Sequence, residues 1–289
     1  MGKLRDLMDR DLAIRGYSAG TCQQYLSAVE KLARFWKKSP DQLTLDDINR
    51  YQLYMVREAK VSWSYFNVAV CALRFFYKTT LKRDWDIKLI PYHRTGRKLP
   101  EVPSPEEVAL LFGVIEDPRD RAIYMIAYGA GLRLSEIRFL RVSDIDSHRM
   151  VIRVQEGKGL KDRYTPLPET ALPILRDYWK LFRPTIWMFP GRYENVPISA
   201  TQIGNRLRYY VALAGLSRQI TCHTLRHAYA THSLEKGGNI RVIQEILGHR
   251  SLRTTEKYTH VAKNFLQNAK SPLDDMPSGE ASKESEPKA

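Results

Sequence analysis

The chain has 289 residues, of which 43% are hydrophobic and 10% aromatic, proportions typical of folded globular protein. No run of about 18 apolar residues is present, which predicts that no segment crosses a membrane. Lysine and arginine number 46 against 32 acidic residues, and the net charge of +14 favours a polyanionic partner, most simply nucleic acid. The three cysteines are widely spaced, which argues against a disulfide framework and is typical of a protein of the reducing cytoplasm.

Residues 1–85 are predicted to form a compact bundle of four helices. Apolar side chains recur there at intervals of three and four residues, which is the spacing of one helical face. Thr44 is followed three residues later by Asp47, the capping-box arrangement that begins a helix. The exposed basic residues of this region are either phosphate contacts or solvated charge, and the sequence does not separate the two readings.

Residues 86–103 are predicted to be an extended basic linker. Helical periodicity stops there, and the stretch from 90 to 105 contains four prolines, a glycine and four basic residues. Such a composition disfavours both helix and strand, and it would allow the segment to lie along a phosphate backbone.

Residues 104–269 are predicted to form a second domain, mainly helical with a small β-sheet. Ser104 and Glu107 form a second capping pattern. The alternation of apolar residues from Met150 to Val154 predicts a strand, and the glycine-bounded turn at 157–159 predicts a hairpin into another. Further helices are predicted at Glu169–Arg183, Ser199–Ala214, Cys222–Lys236 and Ile240–Leu247. The polar tail, residues 270–289, is predicted to be disordered.

Two candidate groups for chemistry lie in the first half of this domain. Arg133 follows a glycine junction and lies three residues before Glu136, within reach on a helix. Lys158 lies between two glycines at the predicted hairpin tip, where it is free to swing into a cleft. Taken alone, an arginine or lysine in such a position is more often an exposed surface charge than a catalytic residue.

Two more groups lie near the carboxyl end. His223 and Arg226 are three residues apart on a helix, so both are predicted to face one way. His249 is followed nine residues later by Tyr258, which lies on a short polar stretch with little to bury it. A zinc site at His223 and His227 is disfavoured because no third ligand has suitable spacing.

Taken in order, these residues resemble the tyrosine recombinase family of phage integrases and Xer-type chromosome recombinases. The residues that carry the resemblance are Arg133, Lys158, His223, Arg226, His249 and Tyr258. The resemblance implies a core-binding DNA-binding domain at 1–85 and a mixed α/β catalytic domain at 104–269. It also implies an enzyme of DNA integration and recombination that cleaves and rejoins DNA strands through a 3′-phosphotyrosyl intermediate, without ATP, metal or other cofactor.

The residue types fit that reaction. Tyr258 is the expected nucleophile, and its aryl phosphodiester conserves the bond energy. Arg133 and Arg226 match a phosphate bidentately, while His223 and His249 add hydrogen bonds or take up the tyrosine proton. Lys158 is the expected general acid for the 5′-oxygen, as the resemblance also implies.

The resemblance also implies partners. The expected partner is double-stranded DNA that carries specific recombination sites, on which four copies of the chain form a homotetramer in the synapse. An accessory factor or a partner recombinase is also expected, and the expected location is the cytoplasm, at the nucleoid. Neither the DNA site nor the choice among integration, resolution, inversion and transposition follows from the sequence. A type IB topoisomerase and a non-catalytic basic DNA-binding protein are the alternatives, and a metal-dependent nuclease is disfavoured because no acidic cluster is present.

Overall fold

The structure is a computed structural model of the chain, and it describes residues 2–93, 101–155, 162–249, 251–256 and 258–259. These residues form two compact units, one within residues 2–93 and the other from residue 101 onward. No helix in the described ranges is both long and apolar enough to span a lipid bilayer. The predicted hairpin tip at Lys158 and the predicted tail, residues 270–289, lie outside the described residues.

The first unit is a bundle of four helices, as the spacing of its apolar residues predicts. The helices are α1 (Gly2–Ile14), α2 (Ala19–Trp36), α3 (Leu45–Arg57) and α4 (Trp63–Phe75), and α4 continues into a π-helical stretch at Phe76–Thr80. Each helix contributes to one buried core, whose members include Met8, Leu12, Val29, Leu32, Ile48, Met55, Val70 and Leu73.

The two predicted capping boxes are confirmed. The Asp47 backbone N–H donates to Thr44 Oγ1 at 3.2 Å, and the Thr44 N–H donates to Asp47 Oδ2 at 2.9 Å. The Glu107 N–H donates to Ser104 Oγ at 3.3 Å, and the Ser104 N–H donates to Glu107 Oε2 at 2.7 Å. Each cap satisfies backbone N–H groups that the first turn of a helix leaves free, and stabilises it by about 1 kcal/mol.

Residues 90–93, in the stretch predicted as a linker, are tied to the first unit. Ile90 is buried in that core, and Arg74 Nε donates to its carbonyl at 2.8 Å. The Asn67 side-chain amide donates to the His93 carbonyl at 3.2 Å and accepts from the His93 N–H at 3.0 Å. This part of the stretch is therefore held by hydrogen bonds from α4.

The second unit is helical with one small antiparallel sheet, which confirms the predicted fold class. Its strands are β1 (Ile145–Asp146), β2 (Val151–Val154) and β3 (Arg163–Pro166), in the order β1-β2-β3. Ile152 on the central strand lies opposite Ile145 on one side and Thr165 on the other. Its helices are α5 (Pro105–Gly113), α6 (Pro118–Gly129), α7 (Leu134–Arg138), α8 (Ala171–Phe182), α9 (Ala200–Leu213), α10 (Cys222–Glu235), α11 (Ile240–Leu247) and α12 (Arg253–Glu256).

Helix α10 is the most unusual element of this unit because it is buried along most of its length yet carries polar side chains. The buried polar residues of α10 are Arg226, His227, Thr231 and His232. A buried polar or charged side chain is costly unless it is hydrogen-bonded. The partners of Arg226 and His227 define the site described next.

Candidate active site

Arg133 is placed by a sharp turn between α6 and α7. Gly131 adopts the left-handed conformation with φ of +60°, and a Cβ there would meet Tyr229 Cδ1 at 2.7 Å. Both the backbone conformation and the close approach therefore require glycine. From this turn the Arg133 guanidinium donates to Glu136 Oε1 at 2.6 Å and to the Gly248 carbonyl at 3.1 Å.

Arg226 lies at the centre of the site, with only 1% of the residue exposed. Its guanidinium donates to the Gly131 carbonyl at 2.6 Å and to the Leu247 carbonyl, and it lies 3.3 Å from His249 Nε2. It also lies 3.7 Å from the Glu136 carboxylate. Arg226 thereby joins the turn before α7 to the carboxyl end of α11.

The contacts of His249 fix its tautomer. Gly248 ends α11 in the left-handed conformation, with φ of +59°, and turns the chain so that His249 approaches Arg226. A guanidinium only donates hydrogen bonds, so His249 Nε2 accepts from Arg226. The proton of the neutral ring is then on Nδ1, which donates to Thr255 Oγ1 at 2.9 Å.

A third arginine, Arg163 on β3, completes the charged cluster. Its two terminal nitrogens donate to the two carboxylate oxygens of Glu136, both at 2.8 Å, and its Nε donates to the Ile246 carbonyl at 2.7 Å. The side chains of Arg163 and Glu136 are 11% and 6% exposed. This bidentate pair connects the sheet to α7 and α11.

The electrostatics of the cluster favour an anion. Burial works to raise the pKa of Glu136, but hydrogen bonds and charge from Arg163, and then from Arg133, outweigh it and lower the pKa to about 2. Burial, followed by the charge of Arg133, lowers the pKa of Arg226 to about 9, so that it stays protonated at neutral pH. Three positive guanidinium groups thus share the one negative carboxylate of Glu136, and a phosphate is an anion that arginine forks bind well.

Tyr258 is buried, contrary to the expectation from its polar surroundings in the sequence. Only 1% of the residue is exposed, because it packs with Leu234 on α10 and with Ile243 and Leu247 on α11. Its hydroxyl lies 2.6 Å from His227 Nδ1. Burial raises the pKa of Tyr258 to about 12, although the charges of Arg226 and Arg133 act in the opposite direction.

His223 and Arg226 differ in their surroundings more than their helical spacing predicts. Arg226 is buried, whereas His223 at the start of α10 is exposed, and its ring lies edge-on to His227 with the centroids 4.1 Å apart. The neighbouring Leu225 is fully buried, as expected.

In the described ranges no three His, Cys, Asp or Glu side chains are grouped to hold a metal ion.

The structure therefore brings Arg133, Arg226, His249 and Tyr258 together from the turn before α7, from α10 and from the segment after α11. The fifth candidate, His223, is exposed and lies against His227 at the start of α10. The sixth, Lys158, lies outside the described residues. Sequence reasoning missed Arg163 and His227 as members of the cluster. Arg163 is one arginine among many in the chain, and only the pairing of β3 with β2 brings it to Glu136. His227 follows Arg226 directly, but only the fold brings it to Tyr258.

Replacement of Arg163 by alanine is expected to lower the free energy of unfolding by about 3 kcal/mol, because it removes one partner of a buried ion pair. Arg163→Lys should recover part of the loss, since it keeps the charge but not the fork. The matched control is Arg153→Ala on β2, whose pair with Asp162 is exposed and should contribute little. Urea unfolding of the three variants measures the change in the free energy of unfolding. Equal decreases for Arg163→Ala and Arg153→Ala would contradict the stabilising role of the Arg163–Glu136 pair.

Comparison with known proteins agrees with this geometry. Residues 104–264 match the phage integrase family, and residues 4–87 match the phage integrase N-terminal SAM-like domain. The putative integrase/recombinase y4qK of Sinorhizobium fredii is 43% identical over 278 residues, covering 96% of this chain and 90% of its own. A tyrosine recombinase of Thermosipho africanus is 32% identical over 281 residues, covering 91% of this chain and 96% of its own.

A solved structure shares the fold. The lambda integrase tetramer bound to a Holliday junction matches with a TM-score of 0.72 at 17% identity, covering 89% of this chain and 76% of that one. The family matches extend over both units of the chain and include the whole charged cluster. This chain belongs to the phage integrase family of tyrosine recombinases, the DNA strand transferases of site-specific recombination.

Proposed function

We propose that this chain cleaves and rejoins double-stranded DNA at specific recombination sites through a 3′-phosphotyrosyl intermediate on Tyr258. The observation that carries the proposal is that the Tyr258 ring lies 6.4 Å from the ring of His249, which accepts a hydrogen bond from Arg226 of the charged cluster. A phenol and two guanidinium groups in one site supply a nucleophile and a binding site for the phosphate it attacks.

The arginines have separate tasks in this scheme. The Arg133 side chain is 22% exposed and that of Arg226 only 1%, so Arg133 is the more accessible of the two to an incoming phosphate. Arg226, held by two backbone carbonyls, is a fixed donor that does not reorganise as charge develops on the non-bridging oxygens. Fixed donors aimed at developing charge are usually the largest catalytic contribution.

The scheme uses neither ATP nor a metal ion. The aryl phosphodiester on Tyr258 conserves the energy of the broken bond, and the freed 5′-hydroxyl can attack it to rejoin the strand. The charge stabilisation that metal ions supply in many nucleases comes instead from Arg133, Arg163 and Arg226. Cleavage is accordingly expected to proceed in EDTA.

Lys158 is the proposed general acid that protonates the departing 5′-oxygen. Lys158→Ala should slow cleavage of ordinary DNA by about 10²-fold or more, the usual contribution of such a group. A 5′-bridging phosphorothiolate should restore the rate, because its sulfur leaves without a proton. Single-turnover cleavage of the two substrates measures the two rates. A Lys158→Ala protein that cleaves both substrates equally slowly would show that Lys158 is not the general acid.

Four protomers on two duplexes are proposed as the working assembly. The support is the solved lambda integrase tetramer on a Holliday junction, which shares the fold, together with the net charge of +14 on this chain. An accessory protein or a second recombinase would act in the same synapse. We expect the assembly to form at the nucleoid, where the DNA sites lie.

The function is tested by sequencing the DNA that becomes covalently attached to the protein in cells. Enrichment of one or a few short sequences, each cut at a fixed position, is the expected result. Cuts scattered over the genome, together with relaxation of supercoiled plasmid by the purified protein, would instead identify a type IB topoisomerase. Absence of any attached DNA would leave the non-catalytic DNA-binding protein.

A further inference from the structure

The hydroxyl of Tyr258 is hydrogen-bonded to His227, a residue outside the set that the sequence nominated. His227 follows Arg226 directly on α10, is 9% exposed, and places Nδ1 2.6 Å from the phenolic oxygen. That distance is at the short end of hydrogen bonds between these atom types. The ring centroids of the two side chains are 5.3 Å apart and the rings are tilted by 51°, so the rings pack against each other in addition to the polar contact.

His249, the imidazole that the sequence pairs with Tyr258, has both ring nitrogens engaged elsewhere. Its Nε2 accepts from Arg226 at 3.3 Å, and its Nδ1 donates to Thr255 at 2.9 Å. Its ring lies 6.4 Å from the Tyr258 ring, nearly parallel to it. In this arrangement His249 is placed to support Arg226, whereas the hydroxyl of Tyr258 is in hydrogen-bond contact with His227.

We propose that His227 is a further catalytic residue, which accepts the proton of Tyr258 when the phenolic oxygen attacks the scissile phosphate. This inference rests on the proposed function. The Tyr258 Oη–phosphorus bond forms as the bond from phosphorus to the 5′-oxygen breaks. The phenolic proton moves to His227 Nδ1, and the 5′-oxygen takes a proton from Lys158. Both transfers reverse when the strand is rejoined.

The surroundings of Tyr258 explain why such a base is needed. Burial raises the pKa of Tyr258 to about 12, so the phenol is neutral at physiological pH and is a weak nucleophile. Free phenolate is therefore too scarce to carry the reaction. The imidazole of His227, already in hydrogen-bond contact with the phenol, can remove the proton during the attack, when the phenol becomes more acidic. General-base contributions of this kind are about 10²- to 10⁴-fold.

The chain contains a matched control on the same helix. His232 is 7% exposed, and its Nδ1 lies 2.9 Å from the hydroxyl of Tyr128. Its Nε2 lies 3.1 Å from the Pro103 carbonyl and donates to it, so Nδ1 accepts from the tyrosine. His232 and Tyr128 thus form a buried histidine–tyrosine pair like that of His227 and Tyr258, but the tyrosine is not the proposed nucleophile.

Asparagine separates basicity from hydrogen bonding at these positions, because its amide oxygen replaces Nδ1 as an acceptor but takes up no proton. His227→Asn should slow covalent cleavage of a nicked DNA substrate by about 10²-fold or more, while DNA binding and the unfolding midpoint stay close to those of His232→Asn. His232→Asn itself should cleave at the wild-type rate. A His227→Asn protein that cleaves as fast as His232→Asn would overturn the proposal.

Imidazole rescue supplies a second readout that a purely structural role would not move. His227→Ala leaves a cavity of about imidazole size beside Tyr258, and added imidazole should restore cleavage in proportion to its concentration. No recovery in a folded His227→Ala protein would likewise overturn the role. The wild-type protein separates this failure from failure of the proposed function, since wild type without any covalent adduct would contradict the latter.

Discussion

Tyr258→Phe is expected to abolish the covalent protein–DNA adduct while leaving duplex binding unchanged. The substitution removes one oxygen and keeps the ring, so the packing against α10 and α11 is retained. The lost hydrogen bond to His227 should lower the free energy of unfolding by only about 1 kcal/mol. Denaturing gel electrophoresis of protein incubated with a nicked DNA substrate measures the adduct.

Tyr229→Phe is the matched control for that experiment. Tyr229 is a half-buried tyrosine on α10 that packs against Gly131 of the same site. Removal of its hydroxyl should leave adduct formation intact. If Tyr258→Phe still traps DNA, or if Tyr229→Phe loses the adduct instead, Tyr258 is not the nucleophile.

Arg226→Gln is expected to have the second largest effect, because Arg226 serves both the fold and the reaction. The substitution removes donors from the buried carbonyls of Gly131 and Leu247, and each unsatisfied group costs about 1–3 kcal/mol. It also frees His249 and removes a fixed donor from the phosphate, which should slow cleavage by at least about 10²-fold. Urea unfolding and single-turnover cleavage measure the two losses.

Arg206→Gln separates the two losses. Arg206 donates to Asp120, a residue 1% exposed, at 2.6 Å, so the substitution also takes a charged hydrogen-bond partner from a buried carboxylate, which keeps the Tyr210 hydroxyl. This pair involves none of the charged cluster around Glu136. The control should be destabilised yet cleave normally at temperatures where it is folded. Equal cleavage by the folded forms of both variants would show that Arg226 acts only on stability.

The helices and their starts were largely predictable from the sequence because the determinants are local. Apolar spacing predicted the four helices of the first unit, and the capping patterns at Thr44 and Ser104 predicted the starts of α3 in the first unit and α5 in the second. Strand β1 was missed because two residues carry no periodicity, and it forms only by pairing with β2. Residues 90–93 were predicted as part of an extended linker, and their attachment to the first unit was missed. That attachment consists of hydrogen bonds to α4, which join residues far apart in the sequence.

The site was predictable only where a motif orders the residues along the chain. Arg133, Arg226, His249 and Tyr258 were nominated in that way, and the structure places them in one cluster. The burial of Tyr258 was not predictable, because the residues that cover it belong to α10 and α11, whereas its own neighbours in the sequence are polar. Arg163 and His227 were missed since an arginine on a strand or a histidine on a helix has no local mark of its eventual partner.

The phosphate chemistry of Tyr258 is tested most directly by mass spectrometry of the trapped adduct. Protein incubated in EDTA with a nicked duplex carrying the recombination site is digested with protease and nuclease, and the modified peptide is sequenced. We expect a nucleotide joined through its 3′-phosphate to the oxygen of Tyr258. A nucleotide on another residue, a linkage through the 5′-phosphate, or an adduct that forms only with added Mg²⁺ would contradict the account.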